Sequence, residues 1–111
     1  MTTLLDAGKQ PSPSAQWAGG PQRIGVTLVE ARACHFCEAA REVIDRVAED
    51  CPLDLTVVSS RSERGVALVQ RHRASMLPLV LVEDRFVSNG RLSEKLFRKR
   101  VGQAAAARAV A

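Results

Sequence analysis

Ala33-Cys34-His35-Phe36-Cys37-Glu38 lies where an apolar, largely β-branched run, Ile24-Gly25-Val26-Thr27-Leu28-Val29, gives way to a helical pattern beginning near Cys37. The two cysteines are three apart, so at the mouth of a helix both sulfurs fall on one face of its first turn. A modest local adjustment brings their Cβ atoms within disulfide range. Unpaired N–H groups and the positive end of the helix dipole favour thiolate over thiol at such a position. Residue type, spacing and setting together point to thiol–disulfide exchange.

The flanking elements read outward from that junction. Ile24 to Val29 has the near-continuous apolar character of a strand buried on both faces. Ala31-Arg32-Ala33 forms the loop into the cysteine pair. Beyond it, Ala40, Val43, Ile44 and Val47 recur at helical spacing among charged residues, and the helix should stop before Pro52, at Asp50 or Cys51. Leu53-Asp54-Leu55-Thr56-Val57-Val58 is a second strand with partial alternation. Ser60-Arg61-Ser62-Glu63 fits a capping box opening a helix to about Arg73, with Val66, Leu68 and Val69 as its apolar face. Met76-Leu77-Pro78 leads into Leu79-Val80-Leu81-Val82, another buried strand. Glu83-Asp84-Arg85 turns the chain into the short strand Phe86-Val87-Ser88, which Asn89-Gly90 ends. Ser93 can N-cap a last helix whose Leu92, Leu96 and Phe97 face inward and whose Arg98-Lys99-Arg100 lie near its end.

The predicted order over residues 23–101 is therefore β-α-β-α-β-β-α. The first two strands should be parallel through a right-handed crossover and the last two antiparallel. A mixed four-stranded α/β sheet with helices on both faces buries these runs most economically.

Residues 1–22 hold Pro11, Pro13, Pro21, Gly8, Gly19 and Gly20 without periodicity and read as a flexible tail. Trp17 either docks on the domain or stays loose. Residues 102–111 read as an Ala-rich tail with too little apolar surface to require docking. At 111 residues the chain fits one domain, expected to be a monomer. Its net charge of +4 is carried by 13 Arg and 3 Lys, but these are scattered. With Trp17, Phe36, Phe86 and Phe97 as the aromatics, no stacking platform for nucleic acid is visible. No apolar run approaches the roughly 20 residues that cross a bilayer. The first residues lack the basic and apolar regions of a signal peptide, so a cytoplasmic location is expected. One Cys-x-x-Cys pair plus a single further cysteine suits a reducing compartment better than a stapled secreted domain. Heavy use of Arg, Ala and Val suggests a GC-rich, bacterial coding genome.

Taken together, residues 23–101 resemble the thioredoxin-like superfamily, and within it a small glutaredoxin-type protein. Cys34-His35-Phe36-Cys37 after the first strand, Leu77-Pro78 before the third, and the closing hairpin and helix carry the resemblance. It implies a cis-proline at Pro78 packed against the cysteines. It also implies that Leu77 offers its backbone N–H and C=O to an extended peptide or a tripeptide thiol. The glutathione site of such proteins has two glycines followed by an acid after the fourth strand. Here Asn89-Gly90-Arg91-Leu92-Ser93 keeps the second glycine alone, and an amino group bound there would lack its carboxylate partner. Arg32 resembles the basic residue often found two positions before the first cysteine.

On this reading Cys34 is the nucleophile and Cys37 the residue that resolves the mixed disulfide. A protonated His35 would further stabilise the thiolate; otherwise it is a solvated loop residue. Phe36 supplies an apolar lip for substrate or packs on the sheet, and Arg32 adds positive potential or is merely solvated. The expected reaction reduces protein or low-molecular-weight mixed disulfides. No resident cofactor or metal is expected, and glutathione or another small thiol, with a possible reductase, serves as co-substrate. The alternative is a module that carries an iron–sulfur cluster, or binds partners, without redox turnover. The Cys-x-x-Cys pair supplies two zinc ligands, and Cys51, His35 and His72 would have to complete a tetrahedral site. Cys51, some 14 residues beyond Cys37, falls about 20 Å away along the helix.

Overall fold

The computed structural model describes residues 23–110. They form β1 (Ile24–Glu30), α1 (His35–Ala48), β2 (Leu53–Ser59), α2 (Glu63–His72), β3 (Leu79–Val82), β4 (Arg85–Asn89) and α3 (Glu94–Val110). The expected tail at residues 1–22, with Trp17, lies outside the described residues. The strands make one mixed sheet in the order β2-β1-β3-β4. β1 runs parallel to β2, with Ile24 opposite Leu53 and Glu30 opposite Ser59. β3 is antiparallel to both β1 and β4. Among the described residues no helix is long and apolar enough to cross a membrane.

The continuous apolar runs of β1 and β3 follow from burial on two sides. Ile24, Val26, Leu28, Val80 and Val82 pack beneath Ala40, Val43, Ile44 and Val47 of α1 and Phe97 and Val101 of α3. The alternate residues Val29, Leu79 and Leu81, with Val58, face Leu68 and Val69 of α2. Each fully buried side chain of this kind contributes about 1.5–3 kcal/mol relative to exposure. The partial alternation of β2 has the opposite cause. It is an edge strand, and Asp54, Thr56 and Val57 remain exposed. Val66, expected on the apolar face of α2, is exposed as well.

Three local readings are corrected by tertiary context. α1 starts at His35, not near Cys37, because Cys34 itself is the N-cap. α2 is capped by Ser62, whose hydroxyl accepts from the Gly65 N–H at 3.0 Å, so the capping-box register starting at Ser60 is not used. The third concerns residues 102–111: the segment read as an Ala-rich tail is helical through Val110. Alanine has the strongest helix propensity, Ala104 packs against the main core, and Arg108 donates to the Arg23 carbonyl and pairs with Glu83 at 3.5 Å.

The β3–β4 turn is a two-residue loop, Glu83-Asp84, with φ of 51° and 66°, the left-handed pair that suits a tight hairpin. Glu83 also ties this hairpin to the start of β1. Its N–H donates to the Gly25 carbonyl at 2.8 Å, and its Oε2 accepts from the Gly25 N–H at 2.6 Å. Across the pairing, Val80 opposes Ser88 while Leu81 opposes Phe86, leaving Val87 as the extra residue of a β-bulge.

Gly65 is required by close approach: a Cβ there would run into the Ser59 carbonyl, backbone that cannot yield. Gly65→Ala is expected to destabilise the fold by about 1–3 kcal/mol, read as a lower denaturation midpoint. Over α1 and α3, Arg46 and then Arg98 hydrogen-bond Glu94 and hold its carboxyl below its ordinary 4.5. Asp50 and then Glu94 raise Arg98. Glu94 thus binds its proton less readily folded than unfolded. Its contribution is present above the ordinary carboxylate range and is lost as pH falls through the lower, folded value. Glu94→Gln should therefore flatten the decline of stability on acidification, measured by denaturation across that range.

Candidate functional site

Strand direction gathers the site. β1, β2 and β4 run the same way, so α1, α2 and α3, which follow them, all open their N-termini at one end of the sheet. Cys34 sits at that end as the N-cap of α1, with extended backbone at φ −107° and ψ 111°. Ala33 before it takes φ 50°, a left-handed conformation uncommon for a residue with a Cβ, and so turns the chain sharply out of the strand.

At an N-cap the side chain normally supplies an oxygen to an orphan N–H. Here the Cys34 Sγ accepts from the Cys37 N–H at 3.2 Å. The Cys34 carbonyl accepts from Glu38 N–H at 3.1 Å, the first bond of the helix. The Cys34–Cys37 disulfide joins Cα atoms 5.1 Å apart, inside the usual range. The two sulfurs differ in access. Cys37 is 2% exposed and belongs to the buried face of α1, whereas Cys34 is only half-buried. His35 and Phe36 between them are exposed, Phe36 at 43%. Arg32 is exposed in the preceding turn.

The remaining residues singled out from sequence reach the same end from the other strands. Val29 pairs with Leu79, and Leu79 with Asn89. Pro78 is buried, and the Leu77–Pro78 bond is cis, as the resemblance implies. The Pro78 carbonyl accepts from the Gly90 N–H at 2.9 Å, which closes the start of β3 onto the end of β4. Continuing the β1–β3 register sets Leu77 level with Ala31. Among the described residues, neither the N–H nor the C=O of Leu77 has a hydrogen-bond partner.

Met76 was not singled out by sequence reading, yet it belongs here. Its thioether lies over Gly90, whose φ is +86°; a Cβ at Gly90 would stand 3.3 Å from the Met76 Sδ and Cε. At 49% exposure it presents apolar surface beside Pro78. The only local signal was its position two residues before the proline.

Cys51 and His72 lie elsewhere. Cys51 follows the C-terminal end of α1 and packs against the main core, and His72 ends α2 and stacks on Phe86 with ring centroids 6.5 Å apart. Among the described residues no three His, Cys, Asp or Glu side chains gather as a metal-binding group. The difference in access between the sulfurs has a direct consequence for the reduced protein. A thiol-alkylating reagent should modify Cys34 well before Cys37, as mass mapping of a time course would show.

No protein-family model matches the chain, and no curated protein does. Solved structures do. A thioredoxin-like protein from Clostridium perfringens superposes with a TM-score of 0.58 at 10% identity, over 74% of this chain and 71% of that one. Chloroplastic thioredoxin z gives 0.58 at 17% identity, over 77% and 80%. A Staphylococcus aureus protein of unknown function gives 0.52 at 14% identity, over 74% and 91%. The sheet order, the helix placement and these likenesses agree: the chain has the thioredoxin-like fold, with a Cys-x-x-Cys pair at the head of its first helix.

Proposed function

We propose that the protein is a dithiol oxidoreductase that reduces disulfides through Cys34 and Cys37. The observation that carries this reading is the asymmetry of the pair: a half-buried cysteine at a helix N-cap, backed three residues on by a fully buried one. In the reduced protein the Cys37 N–H and the N-terminal end of α1 favour the Cys34 thiolate. That thiolate attacks one sulfur of a substrate disulfide, forming a Cys34 mixed disulfide and releasing the other substrate sulfur as a thiolate. The Cys37 thiol loses its proton and attacks the Cys34 Sγ. The second substrate thiolate leaves, and the Cys34–Cys37 disulfide remains. Two electrons pass to the substrate, and an external thiol or reductase returns them.

Substrate docking is supported by the backbone beside the pair. The N–H and C=O of Leu77, without a partner among the described residues, can bond an extended chain, and Phe36 and Met76 add exposed apolar surface at the same end of the sheet. Arg32, His35, Asn89 and Gly90 border the same end. This suits a polypeptide disulfide, or the mixed disulfide of a polypeptide with a small thiol, handled in a reducing cytoplasm. The missing acid after Gly90 argues for a small thiol other than glutathione as the returning reductant.

The test is turnover of a model protein disulfide with a dithiol reductant. Cys34→Ser should reduce the rate to background, and Cys37→Ser should accumulate a covalent adduct on Cys34, visible as added mass. Full activity in Cys34→Ser would overturn the proposal. A visible chromophore after anaerobic reconstitution with iron and sulfide, in place of turnover, would favour a cluster carrier.

A further inference from the structure

The far end of the sheet holds a feature that thiol chemistry does not use. Between the β3–β4 hairpin and the C-terminal half of α3 lies a groove of about 680 Å³. That is within the range of small-molecule sites, roughly 300–1,000 Å³. Its origin is visible in the inward stripe of α3, which shrinks from Phe97 to Val101 to Ala104 and then Ala107. The first two fill their places in the core at 0% and 1% exposure. Ala104 and Ala107 are small, and among the described residues the groove lies open between them and the hairpin, where Phe86 is 46% exposed beside the buried Val82 and Val87.

Charge decides what fits. Arg85 lies directly across from Val82 and so projects on the same face of the sheet. Arg100 and Arg108 approach from α3, and Glu83 is the single carboxylate of the lining. Its Oε2 accepts from the Gly25 N–H and its Oε1 pairs with Arg108. Arg100 is bonded to the Gln103 side-chain oxygen, a neutral acceptor, at 3.2 Å. Among the described residues the Arg85 side chain has no hydrogen-bond or ion-pair partner. Among the described residues, then, Glu83 is engaged by Arg108 and the guanidinium groups of Arg85 and Arg100 pair with no carboxylate; a planar fork of donors matches a carboxylate.

We propose that this groove is a second ligand site, for a small amphipathic carboxylate whose apolar body lies on Phe86, Ala104 and Ala107 and whose carboxylate is held by Arg85 and Arg100. The site is separate from the cysteine pair, which lies at the opposite end of the sheet.

Decanoate is a suitable probe, titrated into the full chain by calorimetry with amide shifts followed by NMR. Saturation with a Kd below about 1 mM is expected, the largest shifts falling on Phe86, Ala104 and Ala107. Decanol and decylamine should bind at least about tenfold more weakly. The double substitution Arg85→Gln, Arg100→Gln should weaken decanoate by a similar factor without moving the melting temperature. Ala107→Phe, which fills the groove from an exposed position, should abolish the shifts. The proposal is overturned if decanoate fails to saturate, if decanol binds as well, if the Arg substitutions leave the affinity unchanged, or if the shifts centre on Phe36 and Met76.

Discussion

Burial of β1 on both faces is the constraint from which the other placements follow. Side chains that alternate along a strand cannot both be hidden unless something covers each side of the sheet. Here α1 and α3 cover Ile24, Val26 and Leu28, and α2 covers Val29. With β2 and β3 as its neighbours, β1 has no free edge. Its C-terminal end is therefore held from both faces and both edges, and Cys34 follows only a short turn later. On the proposed function, a sulfur that meets an incoming disulfide in one geometry benefits from such an anchor.

The same short turn makes the first residue of the Cys-x-x-Cys pair both structural and chemical. As an N-cap, Cys34 engages the Cys37 N–H that the helix would otherwise leave unpaired. That same donor favours negative charge on the sulfur. The apolar stripe of α1, through Ala40, Val43, Ile44 and Val47, draws Cys37 into the buried face. Accessibility of one sulfur and burial of the other are thus two results of one helix docking on one strand, not independent adjustments.

The two ends of the sheet are built differently. At one, the helix N-termini, the cysteine pair, the buried cis-proline and Gly90 lie at the same end of the strands. At the other, the Glu83-Asp84 turn is fastened to Gly25, and the last turns of α3 reach Arg23 and Glu83 through Arg108. Exposed ion pairs contribute little each, so the course of α3 is set chiefly by Phe97, Val101 and Ala104 against the core. Small side chains beyond that point leave room where the first turns leave none.

Much of this was legible in the sequence, for a physical reason that marks its limit. Apolar runs and helical spacing report burial directly, so all seven elements and the mixed sheet could be read from Ile24 to Val101. The position of the Cys-x-x-Cys pair at a strand-to-helix junction was legible from spacing, whereas the cis bond at Pro78 followed only from the family resemblance, since a proline before a strand is locally as compatible with trans. Boundaries and partners were not legible. Whether Ser60 or Ser62 caps α2 depends on how closely Gly65 can approach Ser59, and whether 102–111 is a tail or a helix depends on Ala104, Arg108 and surfaces distant in sequence. Met76 joined the site only because strand pairing brings Gly90 beneath its thioether. Pattern along the chain determined which faces must be hidden; contact across the chain decided where each helix begins and ends and which side chains meet.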